Sequence, residues 1–358
     1  MLDELGWDRD WARLASTYGG GSAPARVARA AAGRLLLATA SGERRAAAPA
    51  GTAPVAGDWV LTDGEAVTAL LPRRTELVRG AGRRAAAAQV LAANVDVVLV
   101  VVALATPPNQ GRLARMLAVA WDSGAQPVVV LTKADLTGTG GTERDEVAQI
   151  ALTAPVVTTS TVDGRGLAEL RGHLRPGRTA ALLGVSGAGK SSLLNALAGA
   201  ELAAVAELGA TGKGRHTTTP IPPPRDEVRR RGARRLWVLP GLGVLIDTPG
   251  LRGVQPWQSE EGLDKAFADI VALAGQCRFA DCRHDGEPGC AVAAAVEAGE
   301  LSARRVAAHT RLEREVAWLR DRYGARLRAE QRRQWRENAR ASRSDPRRAA
   351  ARRDLPPR

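Results

Sequence analysis

The stretch Gly184-Val185-Ser186-Gly187-Ala188-Gly189-Lys190-Ser191 constrains this chain more than any other. It follows the apolar run ALLGV at 181–185 and opens a segment, 190–199, with helical spacing. A glycine-rich loop between a buried strand and a helix turns successive backbone N–H groups toward one point, and the helix N-terminus adds positive potential there. A lysine at the end of such a loop reaches phosphate oxygens, and the hydroxyl after it takes a Mg²⁺ ion. The pattern demands an α/β domain with a phosphate cradle. Gly184, Val185, Ser186, Gly187, Ala188, Gly189, Lys190, Ser191 and Ser192 are its candidate residues, with Ser191 on the metal.

The surrounding sequence supplies the sheet such a domain needs. Residues 95–102 (VDVVLVVV), 127–131 (PVVVL), 156–160 (VVTTS) and 242–247 (LGVLID) read as strands buried on both faces. Helical spacing at 111–122 and 166–174 falls between them, so the expectation is a parallel α/β sheet. Residues 200–235, rich in Gly, Thr, Pro and Arg, read as a long loop.

Three further motifs lie at strand ends. Thr132-Lys133-Ala134-Asp135 resembles the guanine-specificity motif of GTPases: the carboxylate of Asp135 accepts from guanine N1–H and N2–H₂, donors that adenine lacks, while the Lys133 stem lies along the base. Ser160-Thr161 resembles the segment whose backbone meets the guanine oxygen. Asp247-Thr248-Pro249-Gly250 places a carboxylate on Mg²⁺ through water and a Gly250 N–H on the γ-phosphate. Within 200–235, the spacing selects Thr218 of Thr217–Thr219 as a further hydroxyl for Mg²⁺. Leu251 stands where many GTPases have a water-orienting Gln, so intrinsic hydrolysis is expected to be slow, with His216 the nearest candidate for a catalytic role beside Thr218, Asp247 and Gly250. Ordinary GTPases run phosphate loop, switch Thr, DxxG, NKxD, SA. Here TKAD and STVDG come first and DTPG last, which makes the domain a circular permutation, allowed because permutation only moves the termini among surface loops.

The flanks differ in kind. Residues 1–23 read as a short arm, and 24–84 carry short alternating runs of a small β-barrel. The permuted domain takes 85–256, a helical zinc-binding domain 257–340 and a basic disordered tail 341–358. All three cysteines fall in Cys277-x4-Cys282-x-His284-x5-Cys290, a Cys₃His set that suits one closed structural Zn²⁺. The N-terminus lacks the basic and apolar regions of an export signal, and no apolar run reaches the roughly 18 residues of a membrane helix. A cytoplasmic protein with no membrane partner is expected. The net charge of +13 is uneven: residues 301–358 hold 18 Arg against 7 acidic residues, so +11 lies there. Such a segment suits contacts to a nucleic-acid backbone.

Taken together, TKAD, GVSGAGKSSLLNAL, GKGRHTTT, DTPGLR and CRFADCRHDGEPGCAV resemble the ribosome small-subunit-dependent GTPase A family, over about residues 24 to 320. The resemblance implies an N-terminal OB-fold, a permuted GTPase core and a C-terminal zinc domain. It also implies GTP and GDP as ligands, binding to the small ribosomal subunit and its rRNA, a part in late maturation of that subunit, and GTP hydrolysis stimulated by it. A monomer is expected. The competing reading is an RNA-binding assembly factor that uses GTP only as a switch, with negligible turnover.

Overall fold

The computed structural model of the chain describes residues 2–18, 21–31, 33–49, 51–79, 89–105, 109–136, 141–202, 235–248 and 260–318. The expected positions His216, Thr218, Gly250 and Leu251, and the basic tail, lie outside these residues.

Where the sequence predicts only an arm, the structure has a helix, α1 (Arg9–Ser16). Asp8 caps it, its side chain accepting from the Trp11 N–H at 2.8 Å. Eight residues are too few for a clear helical period, and tertiary contacts hold the helix instead. Trp11 is buried, with its ring centroid 6.2 Å from that of Trp59. The Arg74 guanidinium lies over Trp11 at 4.2 Å and pairs with Asp8 at 2.6 Å.

Five short strands follow: β1 (Ala23–Ala31), β2 (Arg34–Thr39), β3 (Gly42–Ala47), β4 (Trp59–Thr62) and β5 (Val67–Leu70). They form an antiparallel sheet of order β3-β2-β1-β4-β5, and one parallel bridge, Ala47 to Ala66, brings its two edges together. Ala25, Val27, Leu35, Leu37, Ala46, Val60 and Val67 pack between the strands. β6 (Glu76–Arg79) and β7 (Gln89–Ala93) pair antiparallel and lead into the central sheet.

That sheet is built from β8 (Val97–Ala103), β9 (Gln126–Thr132), β10 (Val156–Thr158), β11 (Thr179–Gly184), β12 (Arg235–Leu239) and β13 (Gly243–Asp247). Its order is β10-β9-β8-β11-β13-β12, parallel except for β12. Side chains alternate between two apolar cores, as strands buried on both faces require. Val98, Val100, Ala181, Leu183 and Ile246 face one core; Val97, Leu99, Val101, Leu182 and Leu245 face the other. Helices α2 (Gln110–Asp122) and α3 (Gly141–Ala151) cover the first face, α4 (Leu167–Gly172) and α5 (Lys190–Ala198) the second. The sequence reading did not separate α3 or β12 as elements.

The C-terminal segment is helical: α6 (Glu260–Ala266), α7 (Ala268–Ala274), α8 (Ala291–Glu297) and residues 303–318. It docks on α2. A Cβ at Gly262 would lie 2.6 Å from the Ala118 carbonyl oxygen, so the two backbones approach as only glycine permits. Arg305 ties the same segment down through Asp269 at 2.6 Å, the Ala266 carbonyl at 2.9 Å and the Ile150 carbonyl at 3.4 Å. No helix among the described residues is long and apolar enough to cross a membrane.

Candidate functional site

The phosphate loop sits where the sequence places it, between β11 and α5. Gly187 and Gly189 have φ of +80° and +92°, which L side chains avoid. Gly184 packs against β8, where an added Cβ would meet the Val101 oxygen at 2.7 Å. Lys190 is buried and turns back over the loop, its Nζ donating to the Gly184 and Val185 carbonyls at 2.9 and 3.0 Å. Ser191 and Ser192 lie half-buried in the first turn of α5.

The TKAD and Ser160-Thr161 residues come from the far side of β8. Thr132 ends β9, and its hydroxyl donates to the Ala188 carbonyl at 2.6 Å. One hydrogen bond thus ties the TKAD strand to the phosphate loop, 56 residues further along the chain. Lys133 takes a φ of +63°, a left-handed conformation that costs a non-glycine residue about 1–2 kcal/mol. Bonds on both sides hold it, since Ala134 N–H donates to the Thr159 carbonyl at 3.2 Å. Asp135 is exposed, with Oδ1 accepting from the Ser160 hydroxyl at 2.8 Å. Ser160 is itself buried, and its N–H closes a turn onto the Arg165 carbonyl at 3.0 Å. Thr161 lies exposed in that turn. Gly166 is required beside it: its φ is +70°, and a Cβ would fall 1.9 Å from the Thr158 oxygen.

Asp247 ends β13 beside the loop. Burial raises its pKa from the usual carboxylate value to about 6, against the opposing pull of Lys190. Burial likewise lowers the Lys190 pKa, with Asp247 opposing. The Asp247 carboxylate takes no hydrogen bond from a described residue. A buried carboxylate left in that state, with the Ser191 hydroxyl in the adjoining helix turn, is a hard-oxygen donor set of the kind Mg²⁺ selects. Thr248, which sequence reasoning passed over, is fully buried and bonds β11. Its signal was present, as the second residue of DTPG, but no sequence rule assigned it a partner. His216, Thr218 and Gly250 cannot be placed, since they lie outside the described residues.

A second site stands on the C-terminal segment. Cys277, Cys282, His284 and Cys290 bring their ligand atoms within 4.8 Å of one another. Cys290 Sγ lies 3.5 Å and Cys277 Sγ 3.7 Å from His284 Nδ1, and the two sulfurs are 4.0 Å apart. A tetrahedral zinc with bonds of about 2.0–2.3 Å spaces its ligands by about 3.5–3.8 Å, so the donor set and its spacing fit Zn²⁺. Glu287 shapes the turn carrying His284, its carboxylate accepting from the Arg283 and Asp285 N–H groups at 2.9 and 2.7 Å.

Comparison with known proteins gives a consistent picture. The family model described as RsgA GTPase matches residues 70–257. A small ribosomal subunit biogenesis GTPase RsgA of Streptomyces avermitilis is 44% identical over 349 residues, covering 93% of this chain and 90% of the relative. The protein of the same name from Syntrophotalea carbinolica is 38% identical, covering 88% and 90%. Among solved structures, YjeQ from Thermotoga maritima aligns with a TM-score of 0.58 at 25% identity, over 83% of this chain and 99% of that one. YloQ, described as a circularly permuted GTPase, aligns with a TM-score of 0.55 at 22% identity, over 84% and 96%, and shares the fold.

Proposed function

The chain belongs to the RsgA GTPase family, and from that membership we propose that it binds the small (30S) ribosomal subunit, assists its late maturation, and hydrolyses GTP to GDP and phosphate with stimulation by the subunit. The observation that carries the nucleotide half of this reading is the bond from Thr132 to Ala188. It joins a base-reading strand and a phosphate-binding loop that stand in permuted order along the chain.

The residues then divide the work. Asp135, steadied by Ser160, accepts the two guanine donors, and Lys133 lies along the base. Thr161 contributes backbone at the guanine oxygen. The 184–192 loop surrounds the phosphates with N–H groups, and Lys190 leaves its two carbonyls to meet the β- and γ-oxygens. The Ser191 and Thr218 hydroxyls would hold Mg²⁺ and Asp247 would reach it through water, and the ion would neutralise charge developing on the phosphates. Gly250 N–H meets the γ-phosphate. Leu251 cannot orient a water, so His216 together with the ribosome completes the hydrolytic apparatus.

The flanking modules serve binding. The order β3-β2-β1-β4-β5 with the Ala47–Ala66 bridge supports an OB-fold barrel. Its exposed Arg34, Arg44 and Arg45 suit rRNA phosphates, as do the arginines of 301–358. Cys277, Cys282, His284 and Cys290 hold one structural Zn²⁺. We assign the modules as before, with 24–84, 85–256 and 257–340 as barrel, GTPase and zinc units, a cytoplasmic location and a monomeric state. GTP turnover measured with and without purified small subunits tests the whole reading. Slow turnover alone and faster turnover with subunits is the expected result; no stimulation would remove the ribosome from the activity.

A further inference from the structure

Thr248 follows Asp247 directly and is 1% exposed. Its hydroxyl donates to the Leu182 carbonyl. Leu182 and Asp247 are the last paired residues of β11 and β13. Beyond that rung, β11 continues through Leu183 and Gly184 into the phosphate loop, where Lys190 holds the Gly184 and Val185 carbonyls. β13 has no further rung on β11. The hydroxyl therefore adds one tie between the strand that leads to Lys190 and the strand that carries Asp247, where the chain leaves the sheet.

A hydroxyl at this depth is unfavourable unless bonded, and valine would fill nearly the same volume without that requirement. Shape alone does not call for threonine here. Asp247, meanwhile, has no hydrogen bond of its own among the described residues to aim its carboxylate. The backbone on either side fixes where its Cβ points: the β11–β13 ladder before it, and Thr248 after it.

We propose that Thr248 is a positioning residue for GTP hydrolysis, its bond to Leu182 holding the Asp247 carboxylate opposite Lys190 in the orientation that a hydrated Mg²⁺ ion needs. The inference rests on the GTPase reading above. Thr248 touches neither nucleotide nor metal; it acts through Asp247.

The test compares the full-length protein with Thr248→Val and Thr248→Ser. A fluorescent non-hydrolysable GTP analogue is titrated with and without Mg²⁺, and turnover is measured separately. Thr248→Val is expected to keep the Mg²⁺-free affinity, lose about fivefold of the tightening that Mg²⁺ gives, and lower kcat about tenfold with little change in KM, since small misplacements cost rate steeply. Thr248→Ser keeps the hydroxyl and is expected to restore both. A purely structural role would lower the melting temperature by about 2–4 °C and leave the Mg²⁺ increment intact. Full Mg²⁺ tightening in Thr248→Val, or a Thr248→Ser no better than Thr248→Val, would overturn the proposal alone. A wild-type chain that fails to bind the analogue would overturn the guanine-nucleotide reading and the proposal with it.

Discussion

The two candidate sites are built on opposite plans. The zinc cluster is local: four ligands within 14 residues, on turns between two seven-residue helices. The nucleotide site is distributed, drawing residues from 132 to 248 onto one edge of a six-stranded sheet. Cys290 joins the main apolar core and Cys277 and Cys282 pack against it, yet three of the local site's four ligands are only half-buried. The distributed site stands on strands whose side chains are almost all buried. The contrast teaches where the organising energy resides. In the first site an ion would close turns that the core leaves exposed, and in the second the core builds the frame before any ligand arrives.

Removing the ion is the strongest way to break this contrast. Structural zinc contributes on the order of 10–16 kcal/mol to small metal-folded units. Chelation, or Cys290→Ser, is expected to unfold the turns between α7 and α8 and to reduce the far-ultraviolet helical signal of the C-terminal segment while guanine-nucleotide affinity stays unchanged. Elemental analysis should return one zinc per chain in the untreated protein. Loss of nucleotide binding on chelation would mean that the two sites are not independent.

Next in size is Asp135→Asn, expected to weaken GTP binding by about 2–4 kcal/mol through the lost charge-assisted hydrogen bonds. Calorimetry should show this with no change in the melting temperature of the free protein. An equal loss of ATP affinity would contradict a base-specific role. Gly262→Leu acts on the seam between the plans, where α6 meets α2 without side-chain clearance. Overpacking there should cost about 1–3 kcal/mol. Limited proteolysis would then release the C-terminal helices first. The smallest effect is expected from Ser160→Ala, which removes one hydrogen bond to Asp135 and should weaken GTP binding by about 1 kcal/mol. A Ser160→Ala chain as impaired as Asp135→Asn would show that the serine contacts the base itself.

The same contrast explains what could be read without coordinates. Motifs whose ligand groups stand close together in the chain leave fixed spacings, so the glycine-rich loop, TKAD and the Cys₃His set are visible as strings. Long β-branched runs announced the central strands because both faces are buried. Helix α1 was not visible: its eight residues are held by Trp59 and Arg74, far off in sequence. β12 is not legible as a strand because its outer residues are poorly covered, with Trp237 half-buried and Val238 exposed. Thr248 was in plain view, yet its role depends on the register of Leu182 against Asp247, which no local pattern encodes.

The strand order has a consequence for how the protein is made. β8 lies at the middle of the sheet and is its first strand in the chain. β9 and β10 extend the sheet on one side before β11 begins the other. Domains fold as the N-terminal parts emerge from the ribosome. The loops proposed to read the base are therefore translated, and their strands available to pair, before the glycine-rich loop exists. Asp247 comes last of the described site residues, on a β12–β13 hairpin that joins the sheet only where β13 pairs with β11. On the proposed assignment, a nascent chain gains its full set of phosphate and metal donors only when that hairpin docks.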